Sequence, residues 1–255
     1  MNDVHAMAEK GFGLGADAYV RGRPDFPAAA LDWLRADLGL APAKTVIDLG
    51  AGTGKFTRRL VETGAAVIAV EPVDAMRAHL AHDLPSVTPL AGSAQHIPLP
   101  DACADAVVCA QAFHWFACAE SLQEIHRVLK PGGVLGLIWN VRDQSVDWVA
   151  QLTRIMEPYE GDAPRYDHGE WRGVFPAKDF GPLREREFAH VHEGSPEQVI
   201  IDRVASVSFI AALDTRSRDH VLDEVRMLIA STPELAGRPR VSVPYVTRVY
   251  CARAT

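Results

Sequence analysis

A glycine loop that follows a short apolar segment constrains the fold of this 255-residue chain more than any other feature. The apolar segment is Thr45–Leu49, and Gly50, Gly52 and Gly54 come directly after it at alternate positions. A short apolar run that stops at glycines is typical of a buried strand. The residues after the loop have helical spacing, with apolar side chains on one face. The sequence therefore predicts a strand, a tight glycine loop and a helix, which is the opening unit of a parallel α/β sheet.

The same alternation of strand and helix continues along the chain. Helices are predicted between most of the later apolar runs, and this order implies parallel strands joined by right-handed crossovers. Pro244 limits the last strand to a sheet edge or a bulge, because proline has no N–H to donate. The further predicted strands are residues 66–70, 87–90, 104–110, 134–139, 184–192 and 241–252. We therefore predict a doubly wound, mostly parallel sheet of seven strands.

The chain is predicted to form one domain, 1–255, with several attachments to a central core. Residues 44–140 carry the regular alternation, and 1–38 contain a helix that covers the front of the sheet. Residues 143–182 break the rhythm after the fifth strand with proline, glycine and aromatic residues. A long irregular connection of this kind is often functional, so we predict a lid insertion. Residues 183–252 complete the sheet with additional helices.

Charge and composition exclude several classes of protein. The chain has 26 basic and 33 acidic residues, a formal net charge of −7, which argues against binding duplex nucleic acid through general charge. No apolar run approaches the length of a membrane span, and residues 1–13 lack the apolar core of a secretory signal. The four cysteines form no CxxC pair. We expect a cytoplasmic protein with reduced thiols, no metal site, no membrane contact and no nucleic-acid partner.

The glycine loop favours an anionic or close-fitting ligand. Glycines allow a ligand to approach the backbone, and the N-terminus of the following helix offers free N–H groups. A dinucleotide fingerprint would require glycine at Lys55, and a phosphate-binding P-loop would require Ser or Thr at Phe56. Both of these nucleotide motifs are therefore excluded.

The pattern that remains, Asp48-x-Gly-x-Gly-x-Gly54 with Glu71 at the end of the next strand, resembles the class I S-adenosylmethionine-dependent methyltransferases. The segments beginning at Gly92, at Gln111 and at Leu129 resemble later motifs of the same family. The resemblance implies a Rossmann-like methyltransferase fold and S-adenosyl-L-methionine as the cofactor, with S-adenosyl-L-homocysteine as its product.

The resemblance also implies which residues bind the cofactor. The acid at Glu71 corresponds to the residue that holds the ribose hydroxyls, and Ser93 stands where the family commonly has an acid near the adenine. The string from Tyr19 to Arg23 resembles a subgroup that includes trans-aconitate methyltransferases, in which these two side chains close over the methionine end or over the substrate. The implied cofactor-binding residues are Asp48, Gly50, Ala51, Gly52, Gly54, Glu71, Pro72, Ser93, Ala94, Gln95, Ala110, Gln111, Tyr19 and Arg23.

Residues on the acceptor side are predicted from their place after strands four and five, where ligands bind in such sheets. His114 is the candidate catalytic general base, or else it shapes the pocket floor beside Trp115. Arg23 is suited to clamping a carboxylate with two hydrogen bonds. The predicted substrate-contacting residues are Trp115, Trp139, Asn140, Arg142, Tyr166 and Trp171.

Each of these substrate residues has a structural alternative. Trp115 either faces the sulfonium or belongs to the core, and Asn140 and Arg142 either orient a polar acceptor or cap a loop. The rings of the insertion either form a lid that excludes water or bury the insertion against the sheet. These rings are Tyr159, Tyr166, Trp171 and Phe175. His168 beside Asp167 does not have the spacing of a metal motif.

We therefore expect an enzyme that transfers a methyl group to a small-molecule acceptor by in-line displacement. The expected acceptor atom is an oxygen of a carboxylate or a hydroxyl group, with orientation and desolvation as the main catalytic effects. Two alternatives remain open: a tRNA or rRNA methyltransferase, and a non-catalytic protein that binds S-adenosylmethionine or S-adenosylhomocysteine. The chain is expected to be a monomer or a homodimer.

Overall fold

The computed structural model describes residues 22–255, which form one seven-stranded sheet with helices on both faces. Three of the strands have the predicted bounds, and all seven predicted strands are present. The strands are β1 (Thr45–Leu49), β2 (Ala66–Val70), β3 (Pro89–Leu90), β4 (Ala104–Ala110), β5 (Leu129–Arg142), β6 (Arg184–Gly194) and β7 (Val241–Arg253).

The helices fall between the strands and after β5. The spacing of Ile200, Val204 and Val207 predicts one helix with these residues on a single face. The structure divides this segment into a π-helical turn, Glu197–Ile201, and two short α-helices. The α-helices of the described residues are α1 (Ala28–Ala36), α2 (Thr57–Val61), α3 (Asp74–Asp83), α4 (Ala119–Val128), α5 (Asp147–Met156), α6 (Asp202–Ala205), α7 (Ser208–Ala211) and α8 (Thr215–Ser231).

The strand order is β3-β2-β1-β4-β5-β7-β6. Strands β1 to β5 pair in parallel, and β7 runs antiparallel between β5 and β6. This confirms the predicted doubly wound, mostly parallel sheet. The order reverses between β1 and β4, and the carboxyl ends of strands at such a point form a crevice in which ligands bind.

Alternate residues of the central strands enter two separate cores. Val46 of β1 and Val108 of β4 pack with α1 and α2 on one face, together with Trp33 and Leu60. The neighbours of these strand residues pack on the other face against α4. Because both faces are covered, the central strands are apolar at nearly every position, which is why their bounds were predictable.

The prediction that Pro244 limits the last strand to an edge or a bulge is wrong, since β7 lies inside the sheet and its pairing has no register shift at Pro244. Strand β5 ends at Arg142, which pairs with Tyr245, so Pro244 lies just past that end. Its carbonyl accepts a hydrogen bond of 3.1 Å from the Asp143 N–H. In a strand the N–H and C=O of one residue point to the same side. The missing N–H therefore faces Asp143, one residue beyond the end of β5, and the proline interrupts no hydrogen bond within the β5–β7 ladder.

No helix between residues 22 and 255 is both long enough and apolar enough to cross a membrane. The same part of the chain has no group of three or more side chains arranged to hold a metal ion.

Candidate active site

The three loop glycines have positive φ angles of 73°, 57° and 83° at Gly50, Gly52 and Gly54. Their surroundings differ. A Cβ on Gly50 would lie 2.9 Å from the Ala112 Cβ, and one on Gly54 would lie 2.9 Å from the Leu80 Cγ. A Cβ on Gly52 would meet only the Met76 Sδ, at an ordinary 3.7 Å. Packing within the protein therefore explains the first and third glycines, whereas Gly52 leaves open space at its backbone.

Glu71 fixes the conformation of this loop from the end of β2. Its Oε2 accepts a hydrogen bond of 2.9 Å from the Gly52 N–H, and its Oε1 accepts one of 3.0 Å from the Val73 N–H. The side chain is 5% exposed, and burial raises the pKa of this carboxyl group above its ordinary value. The predicted acid is therefore in direct contact with the glycine loop.

Asp48 at the end of β1 is fully buried beneath the loop. The Thr57 hydroxyl donates a 2.6 Å hydrogen bond to its Oδ2, and its Oδ1 is buried without a hydrogen-bond partner among the described residues. Burial, opposed by this hydrogen bond and assisted by the charge of Glu71, raises the pKa of Asp48 to about 7. With no exposed surface, this carboxyl group ties the end of β1 to α2 through Thr57 beneath the loop.

A pocket at the loop brings together part of the predicted cofactor set. Lys55 and Phe56 also line this pocket, although in the sequence they served only to exclude two nucleotide-binding motifs. Ser93, Ala94 and Gln95 do not line this pocket; Ala94 is buried in the core, and the Gln95 amide lies 3.8 Å from the Cys118 Sγ. Tyr19 lies outside the described residues. The predicted residues that line the pocket are Arg23, Gly50, Ala51, Gly52, Ala110 and Gln111.

A second, larger pocket adjoins the first at the carboxyl ends of β4 and β5. Arg23, Gln111 and Arg203 line both pockets. The second pocket encloses a cavity of about 110 Å³. Its other lining residues are His114, Trp115, Trp139, Asn140, Val141, Arg142, Ala163, Pro164, Arg165, Tyr166, Asp167, Val207, Ser208 and Phe209.

Positive charge dominates the wall of this second pocket. Arg142 is only 9% exposed, and its Nη1 lies 3.8 Å from the Met156 Sδ. Burial and the charge of Arg203 lower the pKa of Arg142 to about 10, so the side chain is charged at neutral pH. The Nε and Nη1 atoms of Arg203 are buried and have no hydrogen-bond partner within residues 22–255. Among the described residues, no carboxylate lies within ion-pair distance of either guanidinium group, so the pocket presents two uncompensated positive charges.

The other charges of this wall are paired within the protein. The Arg165 Nη1 lies 2.6 Å from the Glu160 Oε2, and its Nη2 lies 3.5 Å from the Asp167 Oδ2. His168 contacts the same Glu160, at 2.7 Å, rather than Asp167. Arg23 donates from Nη2 to the Ser206 carbonyl at 3.1 Å. The positive charge that is left for a ligand therefore comes mainly from Arg142 and Arg203.

His114 lies in a 3-10 turn, Phe113–Trp115, directly after β4. The Trp139 indole Nε1 donates a hydrogen bond of 3.0 Å to its Nδ1. Because an indole nitrogen can only donate, Nδ1 must be the unprotonated nitrogen of a neutral ring. Burial and the charges of Arg23 and Arg165 lower the pKa of His114 to about 3. This arrangement argues against the predicted role of general base, because the free electron pair of the ring is already occupied.

The aromatic residues of the insertion lie in different surroundings, some at the pocket and some in the core. Trp171 is 2% exposed and packs 4.8 Å from Trp139, centroid to centroid, so it lies behind the pocket wall and does not line it. Tyr166 lines the pocket, and its hydroxyl lies 2.7 Å from the Tyr250 hydroxyl. Phe175 packs against Phe113 in the core. The prediction that Trp171 contacts substrate is therefore wrong, because the ring is used to bury the insertion against the sheet.

Asn140 ties the N-terminal segment to the sheet. Its Nδ2 donates to the Asp25 carbonyl at 3.0 Å, and its Oδ1 accepts from the Thr247 hydroxyl at 2.6 Å. The side chain is 6% exposed and lines the second pocket. Both ends of the amide have a protein partner, which favours the structural alternative, and the role in orienting an acceptor stays a prediction.

Sequence reasoning missed two lining arginines. Arg165 lies in the irregular insertion between aromatic residues, a context that could have marked it. Arg203 follows Ile200 and precedes Val204 in an ordinary amphipathic helix pattern, and nothing in that pattern distinguishes it from a solvated arginine. Only the packing of α6 against the front of the sheet brings it to both pockets.

Comparison with known proteins shows similarity over nearly the whole chain. A sequence family described as a methyltransferase domain matches residues 47–137. An uncharacterized methyltransferase of Mycobacterium tuberculosis is 43% identical over 244 residues, which cover 96% of this chain and 95% of that relative.

Solved structures share the fold at lower identity. A proposed type II methyltransferase from Anaeromyxobacter dehalogenans superposes with a TM-score of 0.63 at 24% identity, covering 91% of this chain and 97% of its own. Another similar structure is the geranyl diphosphate C-methyltransferase of Streptomyces coelicolor, solved with Mg²⁺, geranyl diphosphate and S-adenosylhomocysteine. Its TM-score is 0.50 at 17% identity, and the match covers 89% of this chain and 79% of that chain. These two likenesses concern the arrangement of the sheet and its helices.

Proposed function

The chain belongs to the class I S-adenosylmethionine-dependent methyltransferases, and we propose that it methylates a carboxylate oxygen of a small anionic molecule. Membership of this family makes the chain an enzyme, which argues against the non-catalytic binding protein considered from the sequence. The carboxylate acceptor and the residues that bind it are what we propose beyond family membership.

One observation at the glycine loop supports S-adenosylmethionine as the cofactor. Gly52 lines the loop pocket, and a Cβ there would meet no protein atom closer than 3.7 Å, so a ligand can approach this backbone closely. When bound, S-adenosylmethionine supplies a methyl group on a positively charged sulfur. In this proposal the residues that hold it are those lining the loop pocket: Arg23, Gly50, Ala51, Gly52, Ala110 and Gln111, with Glu71 behind Gly52.

The observation that carries the acceptor proposal is the pair of uncompensated guanidinium groups of Arg142 and Arg203. A buried charge without a partner is costly, and a carboxylate that binds between such groups replaces the missing partner. Arginine also matches a carboxylate with two parallel hydrogen bonds. A neutral hydroxyl compound would leave both charges uncompensated, so this pocket favours an acid.

A carboxylate acceptor also agrees with the state of His114. A carboxylate has already lost its proton, so its oxygen accepts the methyl group without a general base, whereas a hydroxyl acceptor benefits from one. The side chains that line the pocket then have only to orient the acid and to exclude water.

A methyl-transfer screen with matched acceptors tests the proposal. Each carboxylic acid is assayed beside its primary amide and its alcohol, and tRNA is included as a separate acceptor. We expect methyl esters from acids and no product from the matched amides or alcohols. Methylation of the alcohols in preference to the acids, or of tRNA alone, would overturn the proposed function.

The variant Arg142→Met tests the binding role directly. Because one charge-assisted hydrogen bond contributes about 1.5–3 kcal/mol, we expect KM for the acid to rise roughly 10- to 100-fold. The matched control is Arg226→Met, which changes an exposed arginine paired with Asp223 in α8. An equal effect of both variants, or an unchanged KM in Arg142→Met, would contradict the assignment.

A further inference from the structure

We propose that His114 donates a hydrogen bond from Nε2 to the acceptor carboxylate and that Trp139 is the residue that holds it in this donor form. The inference rests on the proposed function for the identity of the acceptor. His114 is then a neutral donor rather than a base, and Trp139, whose ring is almost fully buried, is the positioning residue.

The hydrogen bond between the two rings determines which imidazole nitrogen carries the proton. The Trp139 Nε1 lies 3.0 Å from the His114 Nδ1, and indole has no electron pair that could accept a proton in return. A neutral imidazole carries its single proton on the other nitrogen. Nε2 therefore bears the N–H, and within residues 22–255 it has no hydrogen-bond partner.

The position of Trp139 makes this arrangement rigid. Its side chain is 1% exposed and contacts the rings of Trp171 at 4.8 Å and Tyr166 at 5.0 Å between centroids. The indole cannot turn away without disturbing this stack. Because the donor is fixed, a switch of the histidine to its other tautomer would place two N–H groups against each other, and this penalty holds the ring in one form.

Burial and the surrounding charges keep the imidazole neutral. Burial opposes a second proton on the ring most strongly, and the charges of Arg23 and Arg165 oppose it further. The one carboxylate among the lining residues, Asp167, is exposed and faces Arg165. The charged residues that line this pocket are Arg23, Arg142, Arg165, Asp167 and Arg203. Positive charge predominates, so the pocket favours the neutral ring over the imidazolium form.

A neutral donor suits methyl transfer to a carboxylate. The oxygen that attacks must keep its electron density, so the donor is best placed on the other oxygen, where it fixes the orientation of the group. The C–S bond of the sulfonium breaks with its electron pair left on sulfur, and the C–O bond of the ester forms from an electron pair of the carboxylate. No proton moves in this step, so no residue has to act as a base.

Nitrogen-15 NMR of histidine-labelled protein tests the tautomer without any need for turnover. The chemical shift of each ring nitrogen reports whether it carries a proton, and the His114→Gln variant assigns the His114 signals among the ten histidines. We expect an unprotonated Nδ1 and a protonated Nε2 from pH 5 to pH 9. In Trp139→Phe, which lacks the N–H, we expect a mixture of the two tautomers. A protonated Nδ1 in the unaltered protein, or titration of the ring near its ordinary pKa, would refute the inference.

A kinetic comparison separates a donor from a base. His114→Leu removes both functions, whereas His114→Gln retains an N–H donor near the position of Nε2 and has no basic nitrogen. A donor to a carboxylate predicts a loss of roughly 10- to 100-fold in kcat/KM for the leucine variant. The glutamine variant should recover most of this loss, and kcat/KM should be flat from pH 6 to pH 9 in both the variant and the unaltered enzyme.

If His114 is a base, the opposite is expected. The glutamine variant is as impaired as the leucine variant, and kcat/KM of the unaltered enzyme rises as the pH passes through the pKa of the histidine. The matched control is His220→Gln, an exposed change in α8. Failure of the acid screen with the expected NMR result would reject the proposed acceptor while leaving the tautomer established. Esterification of acids with equal loss in both His114 variants would reject the donor role alone.

Discussion

Replacing Gly52 by alanine should abolish tight cofactor binding while leaving the fold intact. The new Cβ would meet no protein atom closer than 3.7 Å, so its steric effect falls on the open space of the loop pocket. Overlap of one methyl group with a well-packed neighbour costs about 1–3 kcal/mol, and we therefore expect S-adenosylhomocysteine to bind roughly 10- to 100-fold more weakly.

The same change also lowers the free energy of unfolding, through the backbone conformation of Gly52. The φ angle of Gly52 is +57°, and a residue with a Cβ pays about 1–2 kcal/mol in this left-handed region. Loss of glycine's freedom in the unfolded chain returns about 0.4–1 kcal/mol. The net destabilisation is about 1 kcal/mol, which lowers Tm by roughly 2–4 °C in a chain of this size.

Gly237→Ala is the matched control for this experiment. Gly237 has a φ of +68° and no atom within 4 Å of its ideal Cβ, and it lies in the loop before β7, outside both pockets. Both variants should lose the same small amount of Tm, measured by calorimetric scanning, and only Gly52→Ala should lose affinity in isothermal titration. Equal affinities in the two variants would refute the assignment of Gly52 to the cofactor, and unfolding of Gly52→Ala alone would refute the steric reasoning.

Two further changes test the interior of the loop. Asp48→Asn should flatten the dependence of stability on pH. The pKa of Asp48, raised to about 7, means that the folded state of the unaltered protein favours the protonated acid. Its stability is therefore full below the ordinary pKa of 3.8 and falls by up to about 4 kcal/mol as the pH rises through 7. Urea unfolding of both proteins at pH 5 and pH 8 measures this, and a parallel loss in the asparagine variant would contradict the assignment to Asp48. Gly54→Ala should lower the free energy of unfolding by about 2–4 kcal/mol, because its Cβ would lie 2.9 Å from the Leu80 Cγ in addition to the strain of a φ of +83°. Urea unfolding beside Gly237→Ala checks this, and equal losses in the two variants would show that the contact with α3 is unimportant.

The predictions that succeeded were those that depend on local patterns. The bounds of β1, β2 and β4 agree with the sequence because strands buried on both faces are continuous apolar runs, and glycine or proline stops them. The contact between Glu71 and the glycine loop was also predictable, since neighbouring parallel strands bring their carboxyl ends to one edge.

The predictions that failed depend on where distant segments lie. Pro244 is tolerated inside the sheet only because β5 ends one residue away, which the sequence around the proline does not reveal. Trp171 has the chemistry of a ligand-binding side chain, but other rings cover it in the core.

The glycine loop and the periodicity of the strands by themselves determined the sheet, the family and the edge at which ligands bind, because each of these follows from residues close together in the chain. The tertiary structure alone decided the charge and the hydrogen bonding of the second pocket. Arg142 and Arg203 are separated by 60 residues of sequence, and only the packing of α6 brings them together without a carboxylate between them. The tautomer of His114 likewise depends on one indole N–H from another strand. Charge compensation and hydrogen-bond partners are settled by long-range contacts, and periodicity carries no information about those.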